Sequence, residues 1–243
     1  MIISTEGIVL KTIDYRETSC ITRFFTKDHG KVAGVLKGIR KDRKKFGSNV
    51  DRFSVNDIVY YAYRHSDLHL ISQSDLKEYF FPVRQDYKKS VAANYILELV
   101  DLVMPREEKN LKVYELMLNF LHSLNTILDI DKLVHIFQIK ILQLSGFSPH
   151  LDACVKCGKN IKGKSRFSMT AGGLLCSECP TINHSFTVIS QGTVATILHV
   201  ERAPWLIARK IGLTGVTQKE LKYILNNFLT YHLERNVKSA KYM

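Results

Sequence analysis

Long hydrophobic runs are missing from this sequence. No stretch reaches the ~18 uncharged apolar residues of a membrane helix, and the best candidate, residues 91–104, is interrupted by Glu98 and Asp101. A leader peptide is not indicated either, because the first fifteen residues carry charges where such a peptide has its apolar segment. Repeats and low-complexity tracts are absent. Acidic residues are in short supply: 23 Asp and Glu stand against 35 Lys and Arg in 243 residues, a formal net charge of +12. The remaining composition is ordinary, 45% hydrophobic and 24% charged, which excludes a disordered chain. These features lead us to expect a soluble, cytoplasmic protein of one large or two modest domains. They also point to an acidic partner, most commonly nucleic acid.

Catalytic signatures are lacking as well. No GxSxG, HExxH or strand-following GxGxxG occurs. Glu107 and Glu108 lie beside Lys109 after Pro105, a solvated or capping arrangement, and His122 and His135 sit singly on helical stripes. One letter-for-letter phosphate-loop match exists, Gly158 to Ser165. A true phosphate loop follows a buried strand and opens a helix. Here Cys-Val-Lys-Cys precedes it and Arg-Phe-Ser-Met-Thr-Ala-Gly-Gly follows, so ATP binding is not expected. The chain reads as a non-enzyme.

What is present begins with strands. Residues 7–15, 19–26, 31–39, 56–64 and 68–76 are β-branched and aromatic, with closely spaced turns, and predict a small closed barrel over 1–80. The pattern changes near Pro82. Val91, Tyr95, Leu99 and Val103 form a helical stripe that stops at Pro105. A second stripe runs from Val113 to Leu128, and a third from Asp131 to Ser145 with Gly146 as its C′ residue. Helices resume over 190–200, behind Ser190 as N-cap, and over 218–234, where Thr217 and Glu220 have capping-box spacing. The expected division is a β domain at 1–80 and a helical domain at 81–243, with an insertion at about 151–182.

That insertion carries four of the five cysteines, Cys154-x-x-Cys157 and Cys176-x-x-Cys179. Each pair turns two sulfurs toward one point, and two pairs complete a tetrahedral thiolate site, the spacing of a structural zinc. The intervening segment is glycine-rich and short of large apolar residues, so metal binding would supply its folding energy. Two disulfides are disfavoured in a cytosolic chain, and a redox dithiol needs one pair in a βαβ setting. Four sulfurs close the coordination sphere, which argues against catalysis at the metal. His150 and His184 flank the cluster as ordinary surface residues, and Cys20 is a small core residue in a strand.

The positive charge is unevenly spread. Lys37, Arg40, Lys41, Arg43, Lys44 and Lys45 place six cations with one anion in nine residues, whereas residues 81–150 carry eight charges of each sign. So dense a run between strands suits a loop that meets phosphates. Phe46, Phe53, Tyr60, Tyr61 and Tyr63 accompany it, and exposed rings among them would stack on bases. Alternation puts Tyr61 and Tyr63 on one face and Tyr60 on the other.

Several passages, in this order, resemble the bacterial recombination mediator family RecO. They are Gly7-Ile-Val-Leu-Lys11, Tyr15-Arg-Glu, Gly34-Val-Leu-Lys-Gly38-Ile-Arg40, Leu144-Ser-Gly146-Phe-Ser-Pro149 and Gly172-Gly173-Leu-Leu-Cys176. The resemblance spans nearly the whole chain. It implies an α+β fold: an N-terminal OB-fold barrel, then an α-helical domain with an inserted zinc module held by Cys154, Cys157, Cys176 and Cys179. It further implies a nucleoid-associated DNA-repair protein that binds single- and double-stranded DNA and anneals complementary strands. Such a protein helps RecA replace single-strand-binding protein with RecR as partner, and its helical domain meets the acidic tail of single-strand-binding protein. Where the family usually reads Lys-Gly-Ala-Arg, this chain has Ile39 and an unusually basic continuation. The other reading of these features is a zinc-containing RNA-binding or ribosome-associated OB-fold protein.

Overall fold

The computed structural model describes residues 1–39, 50–161, 163, 165–179, 186–233 and 236–243. Five strands open the chain: β1 (Ile2–Tyr15), β2 (Ser19–Thr26), β3 (Gly30–Leu36), β4 (Val55–Tyr61) and β5 (His69–Glu78). They close into a barrel in the order β1-β2-β3-β5-β4. All neighbours are antiparallel except β3 and β5. β1 is long enough to pair with both β2 and β4, and a bulge between Val9 and Lys11 lets it bend from one to the other. In β3 every second residue is buried, the period-2 signal that makes the strand legible. Val9, Phe24, Val32, Leu36, Ile58, Tyr60 and Ile71 fill the interior.

Helices follow: α1 (Phe81–Gln85), α2 (Tyr87–Val103), α3 (Leu111–Ser123) and α4 (Ile130–Leu144). Asp86 caps α2 by accepting from Lys89 N, and Asn110 caps α3 by accepting from Val113 N. α3 ends earlier than its apolar stripe suggests. Thr126 N and Ile127 N both donate to Ser123 O, turning the chain so that Leu124 stays buried while Leu128 is exposed. Gly146 takes a positive φ just past α4, as its position predicts.

A small sheet ordered β7-β6-β8 comes next, made of β6 (Ser165–Ser168), β7 (Gly173–Leu175) and β8 (Thr187–Ile189). β8 carries this sheet beyond residue 182. Helices α5 (Gln191–Arg202), α6 (Trp205–Ala208) and α7 (Gly215–Leu233) and a 3₁₀ turn (Lys238–Tyr242) complete the chain.

Ser190 caps α5 as expected, accepting from Thr193 N at 3.3 Å. The start of α7 departs from expectation. Thr214, not Thr217, receives the amide bond, from Thr217 N at 3.2 Å. Glu220 reaches away from its own helix and accepts from Ser190 N at 3.0 Å and Ser190 Oγ at 2.8 Å. A threonine three residues earlier serves equally well as cap, so the glutamate is free to brace a neighbouring helix.

The residues group into two compact units, Met1–Ile130 with Val237–Met243, and Asp131–Asn236. Helices α1–α3 thus cluster with the barrel. Within the second unit, Phe167 of β6 meets Phe228 of α7 edge-on at 6.0 Å. Lys140 of α4 donates to Glu201 O and Ala203 O at the end of α5, which satisfies carbonyls the helix leaves open. Among the described residues, no helix is long and apolar enough to cross a membrane.

Candidate metal centre and nucleic-acid interface

The four cysteines converge. The Sγ atoms of Cys154, Cys157, Cys176 and Cys179 all lie within 4.8 Å of one another. The first pair sits on a tight turn closed by Gly158 N donating to Cys154 O at 2.9 Å, with Gly158 at positive φ. The second pair follows β7. Val155 N donates to Leu174 O, and Cys176 N donates to Cys154 Sγ at 3.4 Å, which ties the two turns together.

Cys157 Sγ and Cys176 Sγ are 3.7 Å apart. A disulfide would need about 2.05 Å, whereas metal–sulfur bonds of about 2.3 Å in a tetrahedron place sulfurs about 3.8 Å apart. The group can therefore hold one metal ion. Burial raises the Cys154 thiol, but N–H groups of Cys176, Cys157 and Lys156 outweigh it and bring the thiol to about 6. Hydrogen bonds with the Cys176 and Cys157 sulfurs push Cys179 the other way, up to about 12. Arg166 crosses beneath and donates to Cys179 O at 2.9 Å and to Cys176 O. His150 is exposed and, among the described residues, pairs only through its backbone, with Gly172 and Leu174; His184 lies outside the described residues.

The phosphate-loop match falls in this same knuckle. Its last residue, Ser165, opens strand β6 instead of a helix, so the context for phosphate binding is not met.

At the barrel, Lys37 is exposed. Arg40, Lys41, Arg43, Lys44, Lys45 and Phe46 lie outside the described residues. The structure does place the two ends of that segment. Ile39 and Val50, each 8% exposed, both enter the barrel core. Thr12 Oγ1 donates to Val50 O at 2.6 Å, Val9 N to Ser54 O, and Phe53 N to Val9 O. Arg84 lies between the rings of Phe53 and Tyr79, 4.1 and 3.9 Å from their centroids, and donates to Arg52 O and Tyr79 O. Both roots of the basic segment are thus packed into folded structure.

The tyrosines divide as alternation requires, Tyr60 buried and Tyr61 and Tyr63 exposed, and Phe53, ahead of β4, is buried as well. Tyr60 stacks on His69 at 5.4 Å, and burial, with Glu107 nearby, pushes its hydroxyl up to about 12. The outer surface of β2 and β3 is a polar recess of about 270 Å³ lined by Ile21, Arg23, Lys31, Arg106 and Glu107 among others. Arg23 and Lys31 both pair with Asp101 of α2. His69 accepts from Tyr63 N at Nδ1 and so donates from Nε2 to Glu107 Oε1 at 3.0 Å, and Arg106 pairs with Asp67. Sequence reasoning missed this network, since its members come from four elements. Cys20 is buried, and His135 is buried with Nδ1 3.1 Å from Gln138 Oε1. Exposed His122 faces Glu78 at 3.4 Å.

A closed five-stranded barrel with a basic segment rooted in its core, followed by helices and a four-thiol knuckle, defines the OB-fold-like proteins that carry an inserted metal-binding module. Residues 1–80 match the family described as Recombination protein O N terminal, and residues 84–241 match Recombination protein O C terminal. The chain belongs to the recombination protein O family. It is 31% identical over 240 residues to the DNA repair protein RecO of Moorella thermoacetica, covering 98% of this chain and 89% of that protein. It is 31% identical over 242 residues to the DNA repair protein RecO of Alkaliphilus metalliredigens, covering 97% and 95%. The protein of the same description from Desulfatibacillum aliphaticivorans is 30% identical over 247 residues, covering 99% and 96%. A role in DNA repair and recombination follows from this membership.

Proposed function

We propose that the chain is a DNA-binding recombination mediator. It anneals complementary single strands and, with RecR, assists RecA loading on DNA coated with single-strand-binding protein. The observation that supports this best is the basic segment, six cations between Lys37 and Lys45, whose two roots are buried in the barrel core. Annealing requires two phosphate backbones to be screened at once while bases stay free to pair. A cation-dense loop fixed at both ends supplies that screening without occupying base edges. The chemistry is noncovalent, with Lys37, Arg40, Lys41, Arg43, Lys44 and Lys45 as phosphate contacts.

The four thiols hold one structural zinc in this reading, and the excess positive charge of residues 181–243 suits the acidic tail of single-strand-binding protein. The 1–80 and 81–243 division describes functional parts, barrel and helical domain, in a cytoplasmic, nucleoid-associated protein. The test is annealing of complementary DNA coated with single-strand-binding protein, with and without RecR. Acceleration supports the mediator; no acceleration in either case rejects it. An RNA arm of equal sequence separates the RNA-binding alternative, which predicts tighter binding to RNA than to DNA.

A further inference from the structure

The basic segment re-enters the fold at Val50, and two residues later Arg52 lines a groove that the sequence did not announce. Two cavities there, of about 410 and 400 Å³, share Arg52, Asn94, Ser239 and Tyr242. The first also takes in Lys11, Lys238 and Lys241, and the second takes in Tyr87. The groove thus collects barrel, α2 and the C-terminal 3₁₀ turn. Glu98 seats that turn, accepting from Lys238 N at 2.7 Å, Ser239 N at 2.9 Å and Ser239 Oγ at 2.6 Å.

Three properties of this groove point to one kind of occupant. The first is charge: four cations, Lys11, Arg52, Lys238 and Lys241, line it against two carboxylates, Glu98 and Asp101. Asp101 is already held by Arg23 and Lys31, and Glu98 by the turn. The second is aromatic: Tyr87 is 71% exposed and Tyr242 is 58% exposed. Among the described residues neither hydroxyl has a hydrogen bond, and Tyr242 has only the Lys241 ammonium over its ring. Exposed rings beside cations are how single strands are held, base on ring and phosphate on cation. The third is an ordered polar edge: Asn94 accepts from Arg52 Nη1 at 3.2 Å and donates to Ser90 O at 2.8 Å.

We propose that this groove is a second nucleic-acid subsite, which takes an unpaired base of single-stranded DNA on Tyr87 and Tyr242 and its phosphate on Arg52 and Lys11. The proposal rests on the DNA-binding reading above and extends it. The loop screens phosphates of any strand, whereas the groove distinguishes unpaired bases, because a base within a duplex stays stacked on its neighbours.

The test is fluorescence anisotropy of the full chain with labelled oligothymidine and with a duplex of equal length. Tyr87→Ala and Tyr242→Ala each weaken single-strand binding about 5- to 150-fold, the range for loss of one base–ring stack. Tyr87→Phe and Tyr242→Phe retain the affinity. Duplex binding and the salt slope stay unchanged in all four variants, since no phosphate contact is lost. Bromodeoxyuridine-substituted oligonucleotides crosslink, on irradiation, to peptides bearing Tyr87 or Tyr242.

Unchanged single-strand affinity in the double alanine variant, within about twofold, overturns the groove, as does an equal loss for duplex. The Lys41, Arg43, Lys44 and Lys45→Ala variant separates the two readings. If it alone abolishes binding, the loop stands and the groove fails; if the tyrosine variants alone lose single-strand binding, the groove stands and the loop assignment fails. Both rings are exposed, so circular dichroism and thermal melting of the alanine variants should match the parent chain.

Discussion

At the residue scale, single side chains whose partners come from elsewhere decide local structure. Glu220 is one. Its carboxyl would be raised by burial, but bonds from Thr193 and Ser190 hold it below the ordinary carboxylate value. A depressed folded pKa means the contribution to stability is complete above the unfolded value of about 4.3 and is lost as pH falls through the folded one. Glu220→Ala should lower stability by about 0.5–2 kcal/mol at neutral pH, as for loss of a cap, and by less below pH of about 4. Urea unfolding at the two pH values checks this. Gly30 is another. It sits at φ 62°, and a Cβ there would lie 2.1 Å from Glu108 O. Gly30→Ala must therefore displace backbone, and it should cost more than the roughly 1 kcal/mol of an unstrained glycine change, measured by the shift in thermal midpoint. The cysteines were the part of the site most legible from sequence, because a metal-ligand spacing is local. The assignment of Glu220 to the cap of its own helix was not, because capping boxes describe only local chain and cannot see the competing donors at the start of α5.

Elements show the same division. The period-2 burial of β3 and the stripe of α2 follow from sequence, and their limits in the structure lie within a few residues of expectation. α3 ended early because a turn at Ser123 intervenes, and apolar periodicity does not register a turn that still buries Leu124. The 3₁₀ turn was invisible to periodicity, being held by Glu98 and not by a hydrophobic face. Burial acts to raise Glu98, and bonds from Ser239 and Lys238 overcome it and lower its pKa. The turn should therefore stay docked above the ordinary carboxylate range and release as acid protonates Glu98. Hydrogen exchange of the Lys238 and Ser239 amides across that range reports it: protection relative to the intrinsic exchange rate should be lost only under acid. The exit of the basic segment is likewise fixed by packing, with Arg84 between Phe53 and Tyr79. Arg84→Lys keeps the charge but loses the planar stack and should cost about 0.5–2 kcal/mol, read by denaturant melts.

On the scale of the whole molecule, the +12 charge becomes a question of salt. If the 37–45 segment neutralises about four or five phosphates, log K for single strands should fall against log salt with a slope of about −3 to −3.5. Neutralising Lys41, Arg43, Lys44 and Lys45 should flatten that slope; equal binding by that variant would remove the loop from the interface. Elemental analysis should find one zinc per chain, and chelation should unfold the knuckle around Phe167, because so small a sheet has little core of its own. Two disulfides in place of metal would overturn the centre.

The sequence alone determined the barrel-then-helix order, the four-thiol cluster, the dense basic segment and the family likeness. Each is written in neighbouring residues: alternation, stripes, CxxC spacing and a charge run. Tertiary structure decided what meets what. It buried Ile39 and Val50 as the two roots of the basic segment, sent Glu220 to another helix, and gathered Tyr87, Arg52 and Tyr242 around one groove. Those groupings join residues far apart along the chain, and only the closure of the barrel and the docking of the last turn on α2 bring them within reach of a common ligand.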